Sequence, residues 1–124
     1  MAKRIRVTAG EVSAEAQLND TTCADAVYAA LPITAKANTW GHEIYFEIPV
    51  DCELTEPRDT VESGDLAFWP AGSCFCIFFG PTPMSQRDEI RPASVVEVFG
   101  RLIGDPKMFK KVATGAEVLV ECTD

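Results

Sequence analysis

The chain has 124 residues, of which 47% are hydrophobic and 24% charged, which excludes a disordered polymer and is enough for one domain with a core of its own. Nineteen acidic residues against 11 basic ones give a net charge of −8. A surface that negative repels phosphate, so nucleic acid and anionic membranes are excluded as expected partners.

In chain order, Ile5 and Val7 alternate with Arg4 and Arg6. Val12, Ala14, Ala16 and Leu18 alternate with Glu11, Ser13, Glu15 and Gln17. Period 2 predicts two strands, and Ala9-Gly10 between them predicts a hairpin. Asn19-Asp20-Thr21-Thr22 then offers helix N-caps, and Thr22 with Asp25 makes a capping-box pattern. Cys23, Val27, Ala30 and Leu31 recur at helical spacing until Pro32, which predicts one main α-helix over residues 21–31 lying on a core.

Strands resume at Ile33 to Thr39. Ile44, Phe46 and Ile48 follow, alternating with Glu43, Tyr45 and Glu47. Asp51 to Gly64 is polar and acidic and predicts a long loop with room for a short strand. Asp65 to Trp69 and Cys74 to Phe79 predict two strands joined at Pro70-Ala71-Gly72. The second is apolar on both faces and therefore central. Gly80 to Pro92 reads as a proline-rich loop, Val95 to Ile103 as a strand, Asp105 to Phe109 as a short helical turn with Pro at its first position, and Ala116 to Glu121 as the last strand. The expected fold is mainly β: a single domain over residues 1–124, built as a closed or nearly closed eight-stranded barrel with the helix at an end or on a side.

The N-terminal run is basic but has no apolar stretch behind it, so it does not read as a signal peptide. No window approaches the roughly 20 apolar residues of a membrane helix. A soluble, cytoplasmic protein is expected. With five cysteines and no export signal, the reading is reduced, buried thiols rather than a disulfide framework. Cys74 and Cys76 fall on one face of a strand. Cys23, Cys52 and Cys122 are scattered and His42 is the only histidine, so neither a metal site nor a cofactor is expected.

Three segments together carry a family likeness. They are Trp40-Gly41-His42-Glu43-Ile44-Tyr45-Phe46, Gly64-Asp65-Leu66-Ala67-Phe68-Trp69-Pro70-Ala71-Gly72 and Phe78-Phe79-Gly80-Pro81-Thr82-Pro83. The chain resembles the small bacterial and archaeal cyclophilin-like domains, a family of unknown function, over nearly its whole length. The resemblance implies the cyclophilin eight-stranded barrel. Cyclophilins themselves are prolyl isomerases, and their F-H-R-I segment carries an arginine that polarises the prolyl amide. The comparable stretch here, His42-Glu43-Ile44, puts an acid in that place. Their G-S-Q-F-F-I strand is similar to Gly72-Ser73-Cys74-Phe75-Cys76-Ile77, with Cys74 and Cys76 replacing the glutamine and the pocket phenylalanine. A carboxylate opposes the stabilisation of a twisted amide, so isomerase activity is not expected.

The motif segments hold the candidate site. Trp40, Glu43, Tyr45, Trp69, Cys76, Phe78, Thr82 and Met84 mix apolar walls with a few polar groups, as in a groove for a small molecule or extended peptide. Phe78 reads equally as core. Glu43 and Asp65 are the two carboxyls that could work as an acid/base pair, although Asp65 after Gly64 also reads as a turn cap, and His42 is a lone candidate base. Which strand face of Tyr45 and Trp69 points into the barrel stays open.

The expected function is a binding module. The alternatives are an enzyme, as a divergent prolyl isomerase or a Glu43/Asp65 catalyst, and a homo-oligomeric domain using Trp40 or Trp69. Between Lys36 and Arg87 the only base is Arg58, against eight acids. A groove there favours neutral or cationic ligands.

Overall fold

The computed structural model describes residues 3–123. The chain begins with β1 (Arg4–Ala9), β2 (Val12–Leu18) and the helix α1 (Thr22–Ala29). It continues through β3 (Ile33–Lys36), β4 (Asn38–Thr39), β5 (Glu43–Glu47), β6 (Asp65–Trp69), β7 (Cys74–Phe78) and β8 (Glu97–Leu102). A 3₁₀ helix (Pro106–Lys111) and β9 (Glu117–Cys122) complete it. The strands form one antiparallel sheet in the order β3-β9-β1-β2-β8-β6-β7-β5-β4.

The architecture is the mainly β, nearly closed barrel that the sequence predicts, with nine strands in place of eight. The extra strand comes from dividing Ile33–Thr39 at Ala37. Its first half pairs with β9 and its second with β5, and the Ala37 backbone bonds to Gly115 and Ala116 between them. One short stretch therefore joins the two edges of the sheet, which leaves only short lengths of unpaired strand edge. The β1–β2 hairpin turns at Gly10-Glu11, where Gly10 takes φ 59°, a left-handed conformation that glycine adopts without steric cost.

Strand alternation sorts the side chains. Ile44 and Phe46, Leu66 and Phe68, and Phe75 and Ile77 point into the barrel with Ile5, Val7 and Val120. Phe46 stacks on Phe75 with ring centroids 4.8 Å apart, and Phe99 meets Phe75 edge-on at 5.0 Å. Each such ring contributes roughly 1.5–3 kcal/mol by burial. α1 is capped by the Thr21 hydroxyl, which accepts from the Ala24 amide, and it buries Cys23, Ala24 and Val27 on the core. It ends at Ala29, short of the expected residue 31. The last helical segment runs two residues beyond the expected Phe109, with Asp105 capping its start.

One expectation needs correction. It is the state of the thiols: Cys23 in the first turn of α1 and Cys52 after β5 form a disulfide, with 5.6 Å between their Cα atoms. Only Cys74, Cys76 and Cys122 are free. The step from a missing export signal to reduced cysteines fails because sequence separation does not reveal that the chain after β5 returns across the start of α1. The segment Asp51 to Gly64 is a loop, as expected, with isolated bridges in place of a strand, and it is pinned to the barrel. The fully buried Glu97 carboxyl accepts, at one oxygen, from the Thr55 amide (2.6 Å), the Thr55 hydroxyl (3.0 Å) and the Glu56 amide (2.7 Å). Further on, Arg58 bridges to Val96 and Val61 to Ile90. No helix among the described residues is long and apolar enough to cross a membrane.

Candidate functional site

The outward face of β5, β6 and β7 carries Glu43 and Tyr45, Asp65, Ala67 and Trp69, and Cys74, Cys76 and Phe78. Pairing sets them in rows, with Tyr45 opposite Cys76 and Cys76 opposite Ala67. The face is covered where the loops at Val61, Ile90 and Val96 fold over it, making a second apolar cluster outside the barrel. This settles the orientation of Tyr45 and Trp69: both belong to the outer cluster and neither enters the barrel.

A cavity of about 240 Å³ opens into this face. Trp40, Tyr45 and Trp69 supply aromatic walls, Glu43 and Cys76 lie at the sheet side, and Pro92, Ala93 and Val96 close the far rim. Tyr45 and Trp69 meet edge to face, with centroids 6.5 Å apart and planes at 78°, so they form a corner. The Trp69 indole N–H donates to the Ser94 hydroxyl at 2.6 Å. Gly72 lets the indole lie against the turn, because a Cβ there would sit 2.7 Å from Cζ3 of Trp69.

The first and third motif segments meet at one side of the cavity. Gly41 turns at φ 61° against Pro81, Thr82 and Pro83, where any side chain would collide. The His42 amide donates to the Pro81 carbonyl, and the Phe79 amide to the His42 carbonyl. The His42 ring stacks on Phe79 with centroids 5.8 Å apart. The half-buried histidine thus braces the turn that presents Trp40 and Glu43, and it does not line the cavity.

Glu43 is 5% exposed, and burial pushes its carboxyl up to about 7, with a hydrogen bond from the Cys76 thiol pulling the other way. Burial also raises the Cys76 thiol well above its ordinary value, with the Glu43 charge adding to the effect. Cys74 is raised by burial and then by the charges of Glu47 and Glu43. Both thiols are protonated at neutral pH and serve as packing rather than as nucleophiles.

Of the eight residues expected to bind a ligand, Trp40, Glu43, Tyr45, Trp69 and Cys76 line the cavity. Phe78 is fully buried in the outer cluster beneath it. Thr82 works one step back: its hydroxyl donates to the Arg91 carbonyl and its amide to Ser85 Oγ, while the Arg91 amide also donates to Ser85 Oγ. These bonds tie the proline-rich loop so that Pro92 and Ala93 reach the rim. Met84 is 48% exposed and lies outside the lining. Pro92, Ala93 and Val96 carry no chemical signature, and only the fold of their loop brings them in.

Asp65 does not share the cavity. It borders a separate surface crevice with Arg101. One carboxyl oxygen accepts from the Glu62 amide at 2.8 Å and the other from Arg101 at 3.3 Å. Burial still leaves its carboxyl above the ordinary value despite these partners. The turn-cap reading of Asp65 describes this arrangement. Among the described residues no group of three or more histidine, cysteine, aspartate or glutamate side chains is placed to hold a metal.

A model of the family described as cyclophilin-like matches residues 3–121. The solution structure of the hypothetical protein AF2241 from Archaeoglobus fulgidus is similar, with a TM-score of 0.81 and 40% sequence identity, covering 97% of this chain and 94% of that one. No curated protein matches.

Proposed function

The chain belongs to the cyclophilin-like family, and on that premise we propose that it is a binding module whose outer-face cavity takes a small molecule or a side chain of an extended peptide, neutral or cationic. The observation that carries this reading is the cavity itself: three aromatic residues and one buried carboxyl, with no basic residue and no activated nucleophile in the lining. Pockets of this make-up orient a ligand by a few polar groups within apolar walls. Its volume of about 240 Å³ is below the roughly 300–1,000 Å³ of drug-sized sites, which suits a small ligand or a single side chain.

Prolyl isomerisation finds no support in this lining. It needs a donor towards the twisted amide, and Glu43 occupies the cavity without a guanidinium. Acid/base catalysis has one observation in its favour, the Glu43 carboxyl titrating at about 7. Against it, the second carboxyl lies in another crevice.

A screen of small neutral and cationic fragments, followed by amide shifts and tryptophan fluorescence, tests the proposal. Shifts are expected at Trp40, Tyr45 and Trp69. A screen that leaves both spectra and the melting temperature unchanged overturns it. A protease-coupled proline peptide assay is expected to stay at background, and a rate above background would replace binding by catalysis.

A further inference from the structure

The chemistry of the lining narrows the ligand further. Glu43 is a single acidic group at the sheet side of an otherwise apolar cavity, and none of the lining residues is basic. A buried carboxylate without a counter-charge is costly, and a group that brings positive charge with it offsets that cost and holds the carboxyl ionised. The walls select for the same sign. Trp40, Tyr45 and Trp69 present π-systems whose faces are electron-rich and attract a cation within about 6 Å of the ring centroid. The Tyr45–Trp69 corner places two rings at 78° beside the cavity, so a compact group seated in the corner can contact both.

The kind of cation follows from hydrogen-bond accounting. A primary ammonium carries three donors that need acceptors. Among side chains, the lining offers two good acceptor groups, the Glu43 carboxyl and the Tyr45 hydroxyl; the Trp69 N–H is a donor already committed to Ser94, and the Cys76 thiol accepts weakly, so three divergent N–H donors are not evenly matched. A methylated ammonium replaces those donors with methyl groups that the aromatic walls can cover. Resting on the binding-module reading, we infer that the cavity binds a methylated ammonium group, held among Trp40, Tyr45 and Trp69 with Glu43 as its counter-charge.

Such a group occurs on free quaternary amines and on methylated lysine side chains. The test compares choline with 3,3-dimethyl-1-butanol, which has the same shape with carbon in place of the charged nitrogen, and with a short neutral peptide carrying one trimethyllysine. Binding to the full chain is followed by tryptophan fluorescence and amide shifts. Choline is expected to bind at least about tenfold more tightly than its neutral isostere. Glu43→Gln should remove most of that preference, while Tyr45→Leu, which keeps the apolar volume, should weaken choline and leave the isostere unchanged. A peptide that binds more tightly than choline identifies a protein side chain as the source, and the reverse order a free amine; both uphold the inference. Equal or tighter binding of the isostere overturns the methylated-ammonium assignment and leaves the binding module standing. Silence from all three probes overturns the assignment. Silence from the wider neutral and cationic screen as well removes the binding module with it.

Discussion

Glu43 and Asp65 lie on the same outward face of the sheet, on either side of Phe78. Glu43 pairs directly with Phe78 on β7, and Leu66 pairs with Ile77, which sets Asp65 beside Phe78 from the other strand. Two strand spacings, roughly 9–10 Å, with a buried phenyl ring between, keep the carboxyls from sharing a proton. They are two separate devices: one faces the cavity, the other caps the turn before β6 and meets Arg101.

Their variants should therefore behave independently. Asp65→Ala leaves the Glu62 amide without its acceptor and is expected to cost about 1–2 kcal/mol in urea unfolding. Asp65→Asn keeps a carbonyl for that bond and should cost less, because the Arg101 partner is more than half exposed and its ion pair contributes little. Neither variant should alter ligand titrations at the cavity. Equal losses for the two variants would show that the ion pair, rather than the cap, matters.

Glu43 should make stability fall as pH rises. Unfolded, its carboxyl titrates near 4.5, and folded at about 7. Below 4.5 both states hold the proton and there is no effect. Between 4.5 and 7 the unfolded state releases it first, so the folded state loses stability, and above 7 the loss is constant at about 3 kcal/mol. Glu43→Gln lacks this decline. The stability of the variant relative to the wild type should rise across that window and then level off, as read by urea unfolding at a series of pH values. The raised Asp65 carboxyl is common to both proteins and cancels in the difference. A difference independent of pH would refute the assignment.

Gly72→Ala places a Cβ 2.7 Å from Cζ3 and 3.0 Å from Cε3 of Trp69. The indole is anchored by Ser94, so the strain is relieved by displacing the ring or the turn. The expected cost is about 1–3 kcal/mol, with a red shift of tryptophan emission and weaker ligand binding. An unchanged spectrum would mean that the turn gives way instead of the ring.

The Cys23–Cys52 disulfide closes a 29-residue separation. Unreduced, unfolded protein should expose three thiols to alkylation, those of Cys74, Cys76 and Cys122. Reduction should lower stability by about 2–4 kcal/mol. Five alkylated thiols before reduction would contradict the bond.

Glu97→Ala removes three hydrogen bonds from the Thr55–Glu56 stretch at once. A loss of about 2 kcal/mol is expected, since solvent can replace part of what is lost at these exposed positions. The amides of Thr55 and Glu56 should exchange faster with solvent. Glu97→Gln, which keeps an acceptor oxygen, should protect them better than alanine does.

Alternation and turn chemistry made most of the barrel legible before any coordinates. The period-2 runs around Ile5, Phe46 and Phe68, the switch to helical spacing at Cys23 and Val27, and the apolar run of β7 are local patterns, and each places a strand or helix by which side chains it must bury. The motif segments that carry the family resemblance grouped Trp40, Glu43, Tyr45, Trp69 and Cys76, and alternation added only that Glu43 and Tyr45 share one face of their strand. Parity leaves undecided which face is inside. Tertiary structure settled that by packing Phe46, Phe68 and Phe75 into one core and leaving Tyr45 and Trp69 outside.

Everything joined by long loops needed the fold. Pro92, Ala93 and Val96 at the rim, Cys52 against Cys23, and Thr55 on Glu97 have no signature of their own, because their partners lie far along the chain and only closure of the barrel brings them together. The separation of Glu43 from Asp65 belongs here too, since it depends on which strands pair. The sequence by itself determined the elements, the acidity and most of the cavity's residue types. Tertiary structure decided which of those residues meet, because register and loop return are set by global packing rather than by local pattern.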